Sequence, residues 1–340
     1  MPVPWSPAWM SLSGCEPAGP PMLPAIAPLE PRPMDGSVYL LIPVHNRRAI
    51  TLAGLESLHR NGDLDRYRVV VIDDGSTDGT GAVIAREFPQ VTLLPGDGNL
   101  WWTGAIRLGM DYAMAQGAEY LIWLNDDCRL APGTLGGLLG FCRDYPRAIV
   151  GAQGFEQDDP TRLSFGGKRK TWQGYRFLTL SPGQTMPCDL LSGNLVCLPR
   201  AVVDAIGYPD VVASPHYGGD SLYLLRAQRA GFQLYVDSHY VVTNQAAESQ
   251  LCPSDWLMVP GDCWQLVRLA FNPYSGLSWR LWWRLNWLAY GPWGGVMFAK
   301  KYASLVPLTL LRLLPRTRRQ QLFRPGQSAS TPSTWENIDG

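Results

Sequence analysis

The sequence lacks any CxxC pair, although it has seven cysteines: Cys15, Cys128, Cys142, Cys188, Cys197, Cys252 and Cys263. An odd count without paired spacing argues against a disulfide framework or a zinc site and fits a reducing cytosol. A basic start followed by an apolar run is also missing, so no secretory signal is read at the N-terminus. No long apolar run compensates: in the last seventy residues the longest uncharged stretch, Leu285 to Ala299, has fifteen residues and includes Pro292 and three glycines. That is too short to span a bilayer comfortably. No GxGxxG follows the first apolar run and no Walker A loop is present, which excludes the dinucleotide-binding and P-loop classes. Repeats are absent. Acids are missing from Arg268 to Arg324, where ten Lys or Arg stand without one Asp or Glu in a chain of zero net charge. That asymmetry predicts an anionic partner for the C-terminal part. Tryptophans interleaved with apolar runs there favour a lipid surface over a phosphate backbone. A membrane-surface contact through residues 256–324 is therefore expected, and no nucleic acid.

What is present divides the chain. Ten prolines between Pro2 and Pro33 mark residues 1–36 as a disordered extension. Order is expected from Val38, where a short buried strand ends at Val44. A helix with Leu52, Leu55 and Leu58 follows, then a buried strand from Arg68 into Asp73-Asp74-Gly75. Ser76 or Thr77 is expected to cap the next helix, near Ala82 to Phe88. A strand at Val91 to Leu94, a helix from Thr103 to Gln116 and a strand at Tyr120 to Leu124 complete the pattern. Strand and helix alternate with short links, which predicts an α/β layer with a mostly parallel sheet. Beyond it, Ile149 to Gly154 and Phe232 to Val236 read as strands, and His216 to Asp220 opens a helix through Arg229 that Gly231 closes. The expected organisation is a catalytic domain over 37–250, split at about 130 into a donor and an acceptor half. A helical, membrane-associating appendage over 251–325 and a disordered tail over 326–340 follow.

Ligands collect outside the carboxyl ends of such strands. Three strands end there in polar residues: His45 and Asn46, Asp73 and Asp74, and Asn125-Asp126-Asp127. Neighbouring carboxylates repel unless a cation or donor offsets them. Mg²⁺ or Mn²⁺ does so with one or two protein carboxylates while substrate phosphates fill other positions. A metal bridging two phosphates stabilises a leaving diphosphate. An isolated Asp-Asp in a turn would read as a cap, but this one follows a buried strand beside two other polar strand ends. Gly75 and Gly79 give the second cluster a tight turn, and its acids are able to accept hydrogen bonds from a base or ribose.

With these motifs the chain resembles the family 2 glycosyltransferases of the GT-A fold. The resemblance rests on Ile42-Pro43-Val44-His45-Asn46-Arg47, on Val71-Ile72-Asp73-Asp74-Gly75-Ser76-Thr77-Asp78-Gly79-Thr80, and on Leu124-Asn125-Asp126-Asp127. Gly98-Asn99-Leu100-Trp101-Trp102-Thr103-Gly104-Ala105 and Pro215-His216-Tyr217-Gly218-Gly219-Asp220-Ser221 are similar to a rhamnosyltransferase-like subgroup. The match runs from about Val38 to Asn244. It implies an α/β fold of the nucleotide-diphospho-sugar transferase type, a mostly parallel central sheet flanked by helices, here with a C-terminal aromatic and basic appendage.

The resemblance also implies roles. Pro43, Val44 and Asn46 line the nucleotide base, and Asp73 or Asp74 reads the base or ribose. Asn99, Trp102, Asn125 and Asp126 belong to the nucleotide-sugar site, and Asp127 is the metal ligand for Mg²⁺ or Mn²⁺. Asp220 is the general base. Aromatic faces stack on sugars, so one of Trp101 and Trp102 is expected at the site and the other in the core, while His216 and Tyr217 either touch the acceptor or brace the helix. The implied reaction is inverting transfer from a UDP- or dTDP-linked sugar to a glycan or lipid-linked acceptor, at the inner face of the plasma membrane. Two departures stand out: the triplet begins with Asn125 rather than Asp, and Gly219-Asp220 leaves a single acceptor-side carboxylate. A third metal-side ligand has its nearest candidate in His239. Two other classes compete: a nucleotidyltransferase, which would need a glycine-rich basic loop after the first strand, and a non-catalytic glycan- or membrane-binding relative.

Overall fold

The computed structural model describes residues 35–245, 257 and 262–323. All but the last two residues of the Pro-rich extension, the tail 326–340 and Trp256 lie outside the described residues. The strands are β1 (Asp35–Val44), β2 (Tyr67–Asp73), β3 (Thr92–Pro95), β4 (Tyr120–Leu124), β5 (Cys128–Leu130), β6 (Ala148–Glu156) and β7 (Leu163–Phe165). They continue with β8 (Gly167–Thr171), β9 (Gly174–Phe177), β10 (Thr185–Cys188), β11 (Leu190–Leu191), β12 (Leu195–Pro199) and β13 (Gln233–Asn244). The main sheet has the order β10-β13-β6-β12-β4-β1-β2-β3. β4, β1, β2 and β3 are mutually parallel, as are β6 and β13, while β12 runs antiparallel between β4 and β6. A small sheet, β11-β8-β9, stands beside it.

The apolar runs partition by alternation, as side chains of a strand buried on both faces must. Val38, Leu40 and Ile42 of β1, Val69 and Val71 of β2, and Ile122 and Leu124 of β4 enter one core. Tyr39 and Leu41, Val70 and Ile72, and Leu121 and Trp123 enter the other. The first core is covered by α1 (Arg48–Arg60), α3 (Thr80–Glu87) and α5 (Thr134–Asp144), with a short α2 (Asp63–Arg66) at its edge. The second is covered by α4 (Trp101–Ala115), α6 (Arg200–Ile206) and α7 (Gly219–Arg229). Each fully buried Leu, Ile or Val stabilises by roughly 1.5–3 kcal/mol. α4 lies so close to the sheet that a Cβ at Gly109 would come within 2.8 Å of Ile72 Cδ1.

The expected elements occur within a few residues of their predicted bounds, except that the strand expected over Phe232 to Val236 runs on to Asn244. Neither Ser76 nor Thr77 caps α3. Its N-cap is Gly79 in the left-handed region, and the Ser76 hydroxyl instead accepts the Asn46 N–H at 2.9 Å. α7 ends as expected, with Gly231 at φ 88° and the Phe232 N–H donating to Ala227 O.

The C-terminal part forms α8 (Gln265–Phe271), α9 (Trp279–Tyr290), α10 (Pro292–Ala303), α11 (Leu305–Leu311) and α12 (Arg316–Phe323). α9 packs on the catalytic domain through Leu281 against Leu222 and Ala213, with Leu285 and Leu288 beside them. Its other face leaves Trp279, Trp283 and Trp287 exposed, and Trp293 is exposed on α10. Among the described residues no helix is long and apolar enough to cross a membrane.

Candidate functional site

The parallel register of β1, β2 and β4 carries the three polar strand ends to one edge of the sheet: Val44 lies opposite Asp73, and Leu41 opposite Trp123. At the end of β4 the Asp126 and Asp127 carboxylates share one guanidinium. Arg47 Nη1 donates to Asp126 Oδ1 at 2.8 Å, and Nη2 to Asp127 Oδ2 at 3.2 Å. The Thr51 hydroxyl donates to Asp126 Oδ2 at 2.9 Å, so both oxygens of this buried carboxylate are engaged. Burial pushes the Asp126 carboxyl up to about 6 even with Arg47 beside it. Asp127 is the more open of the two, with 11% of its side chain exposed against 3% for Asp126. Among the described residues the Asp127 Oδ1 accepts only the Cys128 thiol, at 3.9 Å.

Asn125 is oriented by Trp102, whose indole N–H donates to its Oδ1 at 3.0 Å. The Trp102 ring stands edge-on to the buried Trp123. Asp74 is buried, and its carboxylate gathers three backbone donors of the next loop. Oδ1 accepts the Gly98 and Leu100 N–H groups at 2.8 and 3.1 Å, and Oδ2 accepts the Trp101 N–H at 2.8 Å. Trp101 is held there at φ 54°, a conformation a bulky residue rarely adopts without support. The Asp73 carboxylate accepts the Ser76 N–H at 3.0 Å, and its backbone carbonyl accepts those of Gly75 and Gly96. Asn46, at φ 50°, accepts the Thr77 N–H at 2.7 Å and so ties the first strand end to the second. Pro43 is half-buried and Val44 buried at the end of β1, and Asn99 is exposed in the loop that Asp74 braces.

On the acceptor side, Asp220 lies in the first turn of α7 and its Oδ2 accepts the Gly193 N–H at 2.8 Å. Gly193 is required: a Cβ there would come within 2.6 Å of Asp220 Cβ and 3.1 Å of Trp102 Cζ2. The next residue, Asn194, accepts the Asn125 N–H at 2.8 Å through its carbonyl. The turn between β11 and β12 thus joins the triplet to Asp220. Trp101 packs against His216 and Tyr274 at centroid distances of 5.0 and 4.9 Å, and His216 against Tyr217 at 4.3 Å. Burial lowers the His216 pKa to about 4, so its ring is neutral, and its buried Nδ1 has no partner among the described residues.

Several of these residues escape sequence reasoning. Gly193 and Asn194 carry no signal beyond a Ser-Gly-Asn turn between apolar runs. Lys168, on β8, sits with Nζ 4.8 Å over the Phe177 ring; burial lowers its pKa and the Asp220 charge draws it back up. His239, the nearest candidate for a third metal-side ligand, pairs instead with Asp237 at 2.7 Å. Among the described residues no three of His, Cys, Asp and Glu converge as a metal cluster. Asn244 is placed better: it lies opposite Cys128, next to Asp127, in the β13–β5 ladder. It is fully buried, and among the described residues neither atom of its side-chain amide has a partner.

Residues 39–195 match the family model "Glycosyl transferase family 2". Over that stretch the chain is similar to family 2 glycosyltransferases, and its fold is of the GT-A type. It is 31% identical over 186 residues to the galactofuranosyltransferase GlfT1 of Mycobacterium tuberculosis, covering 52% of this chain and 60% of that protein. It is 27% identical over 264 residues to the N-acetylglucosaminyl-diphospho-decaprenol L-rhamnosyltransferase of the same organism, covering 66% and 80%. The chain therefore spans 60% of the length of its galactofuranosyltransferase relative. A crystal structure of GalNAc-T7 with UDP, GalNAc and Mn²⁺ superposes with a TM-score of 0.57 at 13% identity, over 84% of this chain and 54% of that one.

Proposed function

We propose that the protein transfers a sugar from a nucleoside-diphosphate sugar, UDP- or dTDP-linked, to a lipid-linked or cell-envelope glycan acceptor with inversion at the anomeric carbon. The observation that carries this reading is the bridge from triplet to base. Asn125 contacts Trp102 and Asn194, and the adjoining Gly193 packs against Trp102 and holds Asp220. A donor-side carboxylate pair and an acceptor-side carboxylate thus flank one wall. The rhamnosyltransferase relative, whose name includes a diphospho-decaprenol carrier, supports a lipid-linked acceptor.

The residues present fit Mg²⁺ or Mn²⁺. Hard divalent cations take oxygen ligands, few of them carboxylates when substrate phosphates complete the shell. Asp127 Oδ1 has only a long thiol contact among the described residues, and Asn244, whose buried amide has no partner among them, pairs in the sheet with Cys128, the next residue. Asp127 would hold the cation with Asp126 behind it, and the bound cation would neutralise charge on the leaving diphosphate. Asp220 takes the proton from the acceptor hydroxyl as that oxygen bonds to the anomeric carbon and the bond to the diphosphate breaks. The Gly193 N–H fixes the carboxylate's orientation. Trp101, Tyr217 and Tyr274 offer aromatic faces to an acceptor sugar. Pro43, Val44, Asn46 and Asp73 line the nucleotide end, and Asn99 lies in the loop beside it. The exposed tryptophans of α9 and α10, set among basic residues, support a peripheral position on the inner face of the plasma membrane.

Thermal stabilisation by UDP, dTDP and GDP, each with and without Mn²⁺, tests the donor site in wild type and Asp127→Ala. A ligand that binds only the folded state raises its apparent stability. The reading expects metal-dependent stabilisation by one nucleotide that disappears in the variant. No stabilisation by any nucleotide would remove it.

A further inference from the structure

Arg47 has no part in the reading above, yet it makes the closest charged contact to both carboxylates of the triplet. Two adjacent buried carboxylates cannot both stay ionised without a counter-charge. Arg47 supplies it with the planar fork that suits carboxylate oxygens. The other nearby cation, Arg129, is committed elsewhere: its guanidinium donates to the backbone oxygens of Asp126, Cys128 and Ile50 at 3.0–3.1 Å. Arg47 is also the cation able to leave, since its side chain is 40% exposed while that of Asp126 is 3%. A divalent ion at Asp127 competes for the same carboxylate and repels the guanidinium beside it. An arginine released at this edge of the sheet stands where donor phosphates would sit, and its fork binds phosphate as readily as carboxylate.

We propose that Arg47 is an exchangeable counter-cation: it holds the Asp126–Asp127 pair before the donor arrives, yields it to the divalent cation, and then grips the leaving diphosphate. The inference rests on the donor-site reading, because it requires that cation and diphosphate bind here.

The test is Mn²⁺ binding without nucleotide, read from the free-ion paramagnetic resonance signal, in the full chain and in Arg47→Gln. Removing a competitor for a partly desolvated carboxylate pair should tighten Mn²⁺ binding about tenfold. UDP or dTDP, whichever stabilises the wild type, should bind the Mn²⁺-loaded variant about tenfold more weakly for want of a phosphate contact. A second measurement needs no variant: phenylglyoxal modification of wild-type Arg47, located by peptide mass. Mn²⁺ alone should accelerate it, and adding the nucleotide should suppress it. If wild type binds Mn²⁺ but the variant binds no more tightly, or if Mn²⁺ leaves Arg47 as unreactive as before, the exchange is wrong and the donor site stands. If neither protein binds Mn²⁺ or nucleotide, both readings fall.

Discussion

Asp74→Asn tests the packing of the site most directly. In the folded chain the Asp74 carboxylate accepts three backbone N–H groups, two on Oδ1 and one on Oδ2. An asparagine has one acceptor oxygen and an NH₂ group. Its better orientation keeps the oxygen toward Gly98 and Leu100 and turns the NH₂ against the Trp101 N–H, donor to donor. A bond to a charged acceptor is worth about 1.5–3 kcal/mol, and the two bonds that remain weaken as the acceptor becomes neutral. Asp74 is 5% exposed, so water does little to rescue the orphaned donor. The expected loss is about 3–4 kcal/mol, a large share of the roughly 5–15 kcal/mol that holds a typical domain folded. Trp101 would also lose the contact that keeps it at φ 54°, so acceptor KM should rise along with the fall in stability. Urea unfolding followed by circular dichroism measures the first effect, and steady-state kinetics the second. Asp73→Asn is the control: one backbone N–H at 3.0 Å predicts a loss of about 1 kcal/mol. An Asp74→Asn protein within about 0.5 kcal/mol of wild type, or less damaged than Asp73→Asn, would refute the reasoning.

Other substitutions probe separate parts. Asp220→Asn should keep the nucleotide-dependent thermal shift and lose about 10²-fold or more in turnover, the usual worth of a positioned base. Turnover within tenfold of wild type would clear Asp220 of that role. Burial pushes the Asp63 carboxyl up to about 6, opposed by hydrogen bonding to Asn61 and by Arg66. A folded pKa above the unfolded one, about 3.9, means that stability present below about pH 4 is lost as pH rises through about 6. Asp63→Asn does not titrate, so it should gain on wild type across that window by about 2–3 kcal/mol and hold the gain at pH 7. Parallel pH–stability curves for the two proteins would contradict the assignment. The full chain should float with anionic phospholipid vesicles at low salt and be released at high salt, and Trp283→Ala with Trp287→Ala should weaken flotation. No flotation at low salt removes the support for a membrane-surface role.

The sheet was legible because its signal is local. Apolar runs such as Val38 to Val44 and Val69 to Ile72 announce strands buried on both faces, and the fold divides their side chains between two cores by alternation. The polar strand ends were legible for the same reason, since the chain must stop being apolar where a strand leaves the core. The caps were less so: glycines in the left-handed region open α3, α5 and α7, and no Ser or Thr side chain caps them.

The amino-acid sequence by itself determined which residues could do the chemistry: the Asn125-Asp126-Asp127 triplet, the Asp73-Asp74 pair and Asp220 in the first turn of its helix. Only the tertiary structure decided how each is spent. Asp74 is bound to a loop 24 to 27 residues on, and Asp126 to Arg47 and Thr51, 79 and 75 residues back. Asp220 is held by a glycine 27 residues away. His239 turns to Asp237, and Asn244 reaches the position beside Asp127 through the pairing of β13 with β5. Periodicity reports which face of an element is buried. It says nothing about which element arrives opposite, and a carboxylate's hydrogen bonds, charge partner and access to substrate are all set by that arrival.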